Sequence, residues 1–135
     1  MVLLRERIAR LGLQGAAFLI GAMGRNELAA LFHGSVLFVL PSRIEPVGIV
    51  TMEAMSTGRP VVATRVGGVP EIVEHGRSGW LVEPDERSLA EGILHVLSDK
   101  DLMQSMSQAG MRRVRERFTW RHVTDQYLGA YERIC

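Results

Sequence analysis

Residues 36–64 read V-L-F-V-L-P-S-R-I-E-P-V-G-I-V-T-M-E-A-M-S-T-G-R-P-V-V-A-T. Two short runs, 36–40 and the V-V-A-T after Pro60, are apolar or β-branched at successive positions. A strand with one wet face alternates polar and apolar side chains, so these runs predict strands covered on both sides. Between them, from about Gly48 to Ser56, the chain predicts a helix stopped by Thr57-Gly58. Strand, helix and strand in that order is the repeat unit of a parallel sheet with helices on both faces. Reading outward, 2–11 carries Leu3, Leu4, Ile8 and Leu11 at helical spacing with Gly12 as its stop. The run A-A-F-L-I at 16–20, closed by Gly21, predicts a further buried strand. Asn26 is the expected N-cap of a helix over 27–33. Gly67-Gly68 marks a loop before a short helix over 69–74, with Pro70 near its first turn. A fourth strand is expected at 79–82, then helices over about 88–98, 100–118 and 121–134. The predicted fold class is α/β: a Rossmann-like, three-layer parallel sheet with a helical C-terminal tail, in a single domain over 1–135.

Bulk composition narrows the function classes. The formal net charge is +1, so no excess of basic charge favours nucleic acid. Cys135 is the one cysteine, which excludes an intrachain disulfide and fits a reducing, cytosolic setting. No apolar run approaches the ~20 residues that span a bilayer. Arg5, Glu6 and Arg7 interrupt the apolar core that a signal peptide needs. His33, His75, His95 and His122 lack metal-ligand spacing, so no metal site is expected. Arg112, Arg113, Arg115 and Arg117 spread around a helix and read as a solvated face; the alternative is peripheral contact with anionic lipid at the inner face of a membrane. The methionines read as core filling. Ser42 has no His and Asp in a nucleophile pattern.

In a parallel α/β sheet, ligands lie beyond the carboxyl ends of the strands. The segment after V-L-F-V-L is therefore the candidate site. Gly48 has no Cβ to keep a ligand from the backbone. If the helix starts there, the N–H groups of Gly48, Ile49 and Val50 have no intrahelical acceptors and favour an anion such as a phosphate. Glu45 lies in the loop before this start. Glu53 lies eight positions on, inside the helix. An ionised carboxylate only accepts hydrogen bonds, and a ribose diol offers two donors side by side. The arrangement suits a nucleoside diphosphate sugar: phosphates over the helix start, ribose at Glu53, sugar near Glu45. A glutamate in an early helical turn also simply favours the helix dipole, so spacing alone does not decide for function.

The residues P-S-R-I-E-P-V-G-I-V-T-M-E-A-M-S-T-G-R-P-V-V-A-T-R-V-G-G-V-P-E-I-V, followed by G-R-S-G-W-L-V-E-P and R-E-R-F-T-W, resemble the donor-site signature of the retaining glycosyltransferases with the GT-B fold. The resemblance runs over nearly the whole chain. That family's signature is a glutamate, seven residues and a second glutamate, matched here by Glu45 and Glu53. It implies that Glu45 is the catalytic-site carboxylate beside the donor sugar, that Gly48, Ile49 and Val50 hold the diphosphate through backbone N–H groups, and that Glu53 holds the ribose. It also implies that the loop around Ala22 and Met23 lines the base. The Gly67-Gly68 pair is either a second close backbone approach or a plain turn into the short helix. No cofactor is implied beyond the nucleotide-sugar substrate.

The resemblance further implies parts that this sequence does not carry. The family's acceptor-binding first domain is one. Two opening strand–helix units of the second domain, with an Arg and a Lys that neutralise the leaving diphosphate, are the other. Arg43, Arg59 and Arg65 lie near the signature in sequence without matching that pair. The chain therefore reads as a partial donor-binding domain that is inactive in transfer by itself. The absent acceptor-binding domain or a second chain is an expected partner. The alternative is an inactive nucleotide-binding or assembly module; a sugar-nucleotide epimerase of the same fold is disfavoured by the Glu45/Glu53 spacing. The family's absent strands lie between 16–20 and 36–40, so those edges are expected either to pair directly or to recruit another chain. With the stripe Trp120, Val123, Tyr127, Leu128 and Tyr131, this predicts self-association.

Overall fold

β2 (Val61–Thr64) is buried at all four positions, and its side chains divide between two apolar layers. Successive strand residues point to opposite faces. Val61 and Ala63 accordingly join one layer, with Phe32, Met55, Val69 and Ile72, and Val62 joins the other, with Val82, Val96 and Met106. This explains why the strand is apolar without alternation. The computed structural model describes residues 2–134; Cys135 lies outside the described residues. β1 (Phe38–Leu40), β2 and β3 (Trp80–Val82) form a parallel sheet in that order, with Val39 opposite Val62 and Ala63 opposite Leu81.

The helices are α1 (Val2–Arg10), α2 (Arg25–Gly34), α3 (Ile49–Ser56), α4 (Val69–Ile72), α5 (Glu86–Ser98), α6 (Lys100–Arg117) and α7 (Trp120–Glu132). The layer containing Met55 is built from α2, α3 and α4, and the opposite layer from α5 and the first half of α6. α6 has 18 residues, about 27 Å at 1.5 Å per residue. It starts in one layer with Met103 and Met106 and finishes in the other with Val114 and Phe118. One helix thus ties both faces together. Met55 and Met106 fill the core as expected. No helix among the described residues is long and apolar enough to cross a membrane.

One expected strand does not form. The 16–20 segment follows a turn in which Ala16 and Ala17 N–H groups donate to the Leu13 carbonyl, and it joins no sheet. Phe18 is 74% exposed. A strand needs a neighbour for its N–H and C=O groups, and the outer edge of β1 stays unpaired among the described residues. Direct closure between 16–20 and 36–40 is therefore absent. Other differences are at ends. α2 starts at Arg25, capped at Gly24 rather than Asn26, because the Glu27 carboxylate accepts the Gly24 N–H at 2.7 Å. α5 starts at Glu86, two residues before its expected start, with Asp85 as its cap.

Candidate functional site

The loop after β1 is held at both ends. The Thr64 hydroxyl, at the carboxyl end of β2, donates to the Ser42 carbonyl at 2.6 Å. Further on, the Gly68 N–H donates to the Glu45 carbonyl at 3.2 Å. A Cβ at Gly67 would fall 1.9 Å from that same carbonyl oxygen, and one at Gly68 would fall 2.5 Å from the carbonyl oxygen of Pro46. The glycine pair is thus a close approach of two backbones, and what it approaches is the carbonyl groups of Glu45 and Pro46.

Gly48 is the N-cap of α3, in the left-handed region at φ 85°. It is buried, and a Cβ there would lie 3.4 Å from Val69 Cγ2 and 3.6 Å from Ile72 Cδ1. Its N–H donates to Glu45 Oε1 at 3.0 Å. The half-buried Glu45 side chain is therefore folded back onto the start of α3, where the helix dipole favours an anion. Of the three amides expected to face an anion, Gly48 is engaged in this way. Ile49 and Val50, at the first two helical positions, have no carbonyl a turn behind them. Ile49 is exposed and Val50 half-buried.

Glu53 lies one turn on, exposed, and takes part in no ion pair among the described residues. With Val47, Ile49 and Met52 it lines a groove whose far wall is Val114, Phe118, Trp120 and Val123. Ala22 is exposed and Met23 half-buried, just ahead of α2, which packs on α3. No hydrogen bond among the described residues joins that pair to Glu45 or Glu53. The structure thus brings Glu45, Gly48, Ile49, Val50 and Glu53 to one helix start and leaves Ala22 and Met23 on the neighbouring element. No metal-ligating cluster is found among the described residues.

Of the three arginines near the signature in sequence, Arg43 is exposed in the loop beside Glu45. Arg65, at the carboxyl end of β2, lies 3.8 Å from the exposed Glu83 carboxylate. Arg59 is not near the site. It precedes β2 at the opposite end of the sheet and donates to the Ser35 carbonyl at 2.6 Å.

One residue was misread from sequence. Arg113 does not belong to a solvated face: its side chain is 11% exposed and pairs with the Glu74 carboxylate. The signal was present, because Met106, Gly110 and Arg113 recur at i, i+4 and i+7 and so share the inward face of α6.

Fold and geometry define an α/β domain with its polar groups gathered at a helix start beyond the carboxyl ends of parallel strands. The chain belongs to the family described as glycosyl transferases group 1, whose model matches residues 3–113. It is 37% identical over 116 residues to an alpha-maltose-1-phosphate synthase of Mycolicibacterium smegmatis, covering 81% of this chain and 30% of that protein. Anabaena HepE, solved in complex with UDP and glucose, matches with a TM-score of 0.87 and 30% identity, over 96% of this chain and 35% of that one. The C-terminal domain of a group 1 glycosyltransferase (LpcC) from Francisella tularensis matches with a TM-score of 0.78 and 28% identity, over 87% of this chain and 61% of that domain. The fold is that of the C-terminal half of a GT-B glycosyltransferase. The chain spans about a third of the length of its full-length relatives, 30% and 35% in the two cases above.

Proposed function

We propose that this chain forms the donor-binding part of a retaining glycosyltransferase that moves a hexose from a nucleoside diphosphate sugar to a hydroxyl acceptor. The observation that carries the reading is the start of α3. There the Glu45 carboxylate is anchored 3.0 Å from the Gly48 amide, beside the open amides of Ile49 and Val50 and a turn from the exposed Glu53. The diphosphate rests on those amides, the ribose hydroxyls donate to Glu53, and the sugar hydroxyls meet Glu45. Ala22 and Met23 border the base. UDP and glucose bound to the related HepE support this class of donor.

In the reaction so assigned, the bond from the anomeric carbon to the diphosphate oxygen breaks. A bond from that carbon to the acceptor oxygen forms on the same face, and the acceptor proton passes to the leaving diphosphate. This same-face substitution, rather than a double displacement, is what the family resemblance implies. The leaving group's growing charge needs stabilising, and losing one such donor costs ~10²–10³ in rate. Helix amides supply part of it, and neither Arg43 nor Arg65 matches the cation pair that the family resemblance implies. We therefore assign donor binding to this chain and transfer to its assembly with an acceptor-binding part, in the cytosol or at the inner face of a membrane. No cofactor is drawn on beyond the substrate.

Calorimetric titration with UDP, GDP and ADP tests the reading. Binding of one of them, weakened at least tenfold in Glu53→Ala, is the expected result; binding of none would overturn it. Transfer from the chain alone, above a Glu45→Ala Glu53→Ala control, would refute the division of labour.

A further inference from the structure

The Arg113 side chain spends all three nitrogens on one short stretch of backbone and its neighbour. Nε donates to the Ile72 carbonyl at 2.6 Å, Nη2 donates to the Glu71 carbonyl at 2.7 Å, and Nη1 pairs with the Glu74 carboxylate. The guanidinium also lies over the Phe118 ring, 5.7 Å from its centroid. The carbonyls it holds belong to the end of α4, a helix of four residues. A single turn has little stability of its own, so its position is set by what it touches. On its other side α4 touches the candidate site. Val69 Cγ2 and Ile72 Cδ1 lie, with Glu45 Cγ, among the three atoms nearest to where a Cβ at Gly48 would sit, and Gly68, the N-cap of α4, donates to the Glu45 carbonyl. A continuous chain of contacts therefore runs from Arg113 to the Ile72 backbone, from the Ile72 side chain to Gly48, and from the Gly48 amide to the Glu45 carboxylate.

We propose that Arg113 is a positioning residue for Glu45: by clamping α4 from α6 it holds Gly48 and Gly68, and through them the side chain and the peptide of Glu45, in donor-competent geometry. The role of Glu45 itself rests on the reading given above; the clamp does not. Arginine suits the place because its Nε, Nη1 and Nη2 each meet a different acceptor, whereas the three donors of an ammonium radiate from one nitrogen.

The first readout is amide hydrogen exchange, measured residue by residue in the chain without added nucleotide. In Arg113→Met, the Gly48 and Gly68 amides should exchange at least tenfold faster than in the unaltered chain, with β2 amides changed less than twofold. Arg113→Lys should fall between. Unchanged exchange at Gly48 and Gly68 would overturn the clamp. So would equal acceleration at β2, or failure of both variants to fold, since each would make Arg113 a general stabiliser. The second readout compares UDP-glucose with UDP. Arg113→Met should weaken UDP-glucose about tenfold and UDP less than twofold, and adding Glu45→Gln should cost no more than either change alone. Equal weakening of both ligands, or additive losses, would also overturn it. If the unaltered chain binds neither ligand, the donor reading fails, and exchange alone decides on Arg113.

Discussion

Gly67 has no room for a side chain, and the obstacle is backbone, which cannot turn aside. A Cβ there would sit 1.9 Å from the Glu45 carbonyl oxygen, in a residue already at φ +50°. Gly12 shares the left-handed conformation, at φ +67°, but a Cβ there meets nothing within 4 Å. The pair separates two costs. Gly12→Ala carries only the backbone term, about 1 kcal/mol. Gly67→Ala adds displacement of the loop and should cost about 3 kcal/mol. Its thermal midpoint should drop by roughly 10 °C, against a few degrees for Gly12→Ala. Because the loop that moves carries Glu45, Gly67→Ala should also lose donor affinity, and equal melting shifts for the two variants would refute the clash. The sequence left the role of Gly67-Gly68 open between turn and close approach. Glycine signals missing space without saying what occupies it, and here the occupant lies more than twenty residues earlier in the chain.

At the scale of the element, α5 shows how a cap ties a helix to pH. Asp85 accepts the Ser88 hydroxyl at 2.6 Å and the Ser88 amide at 2.9 Å. These bonds, the hydroxyl's first, hold its carboxyl below the ordinary value of 3.8. A carboxyl lowered in the folded state adds stability that is complete above its unfolded value, about 3.9. That stability is lost as the pH falls through the lower folded value. Asp85→Asn keeps an acceptor for the Ser88 amide but has no charge to lose. Its melting temperature should therefore fall less than that of the unaltered chain between about pH 6 and about pH 3, and parallel curves would rule the linkage out. The sequence predicts this helix over about 88–98, and Asp85, three residues before Ser88, is the cap that sets its earlier start. α2 was harder. Its cap is Gly24, whose amide is satisfied by Glu27 reaching back, and a glycine cap carries no side-chain oxygen to announce it. In α6, four arginines suggested a wet face until the inward spacing of Met106, Gly110 and Arg113 is weighed. That spacing marks Arg113 as inward-facing; what it does not name are the groups that pair with the charge, which lie on α4 and at Glu74.

For the whole molecule, the sheet was legible where burial on both faces leaves a mark in the sequence. The 61–64 run is apolar on both sides of the strand because two helical layers cover it. The same mark at 16–20 misled, because an apolar run reports what a segment would bury and not whether a neighbour exists to hydrogen-bond it. The consequence is a surface of a particular kind. Phe18 and Ile20 of the unpaired 16–20 segment, Leu3 and Leu4 of α1, and Trp120, Tyr127 and Tyr131 of α7 are all exposed. Neither α1 nor α7 has a buried residue. The ion pair that links α1 to α5, Arg7 to Glu86 at 3.2 Å, is exposed on both sides, and such pairs add about 1 kcal/mol at most. Exposed apolar stripes and an open strand edge each recruit partners, and we propose that a second copy of the chain is the first available. Light scattering across a dilution series should therefore give a mass above the 15.0 kDa of one chain at micromolar protein, falling on dilution. Leu3→Glu with Phe18→Glu should shift that fall to higher concentration if α1 and the 16–20 segment form the contact, while Trp120→Glu should do so if α7 does. A mass of one chain at every concentration up to micromolar protein would refute self-association through these surfaces.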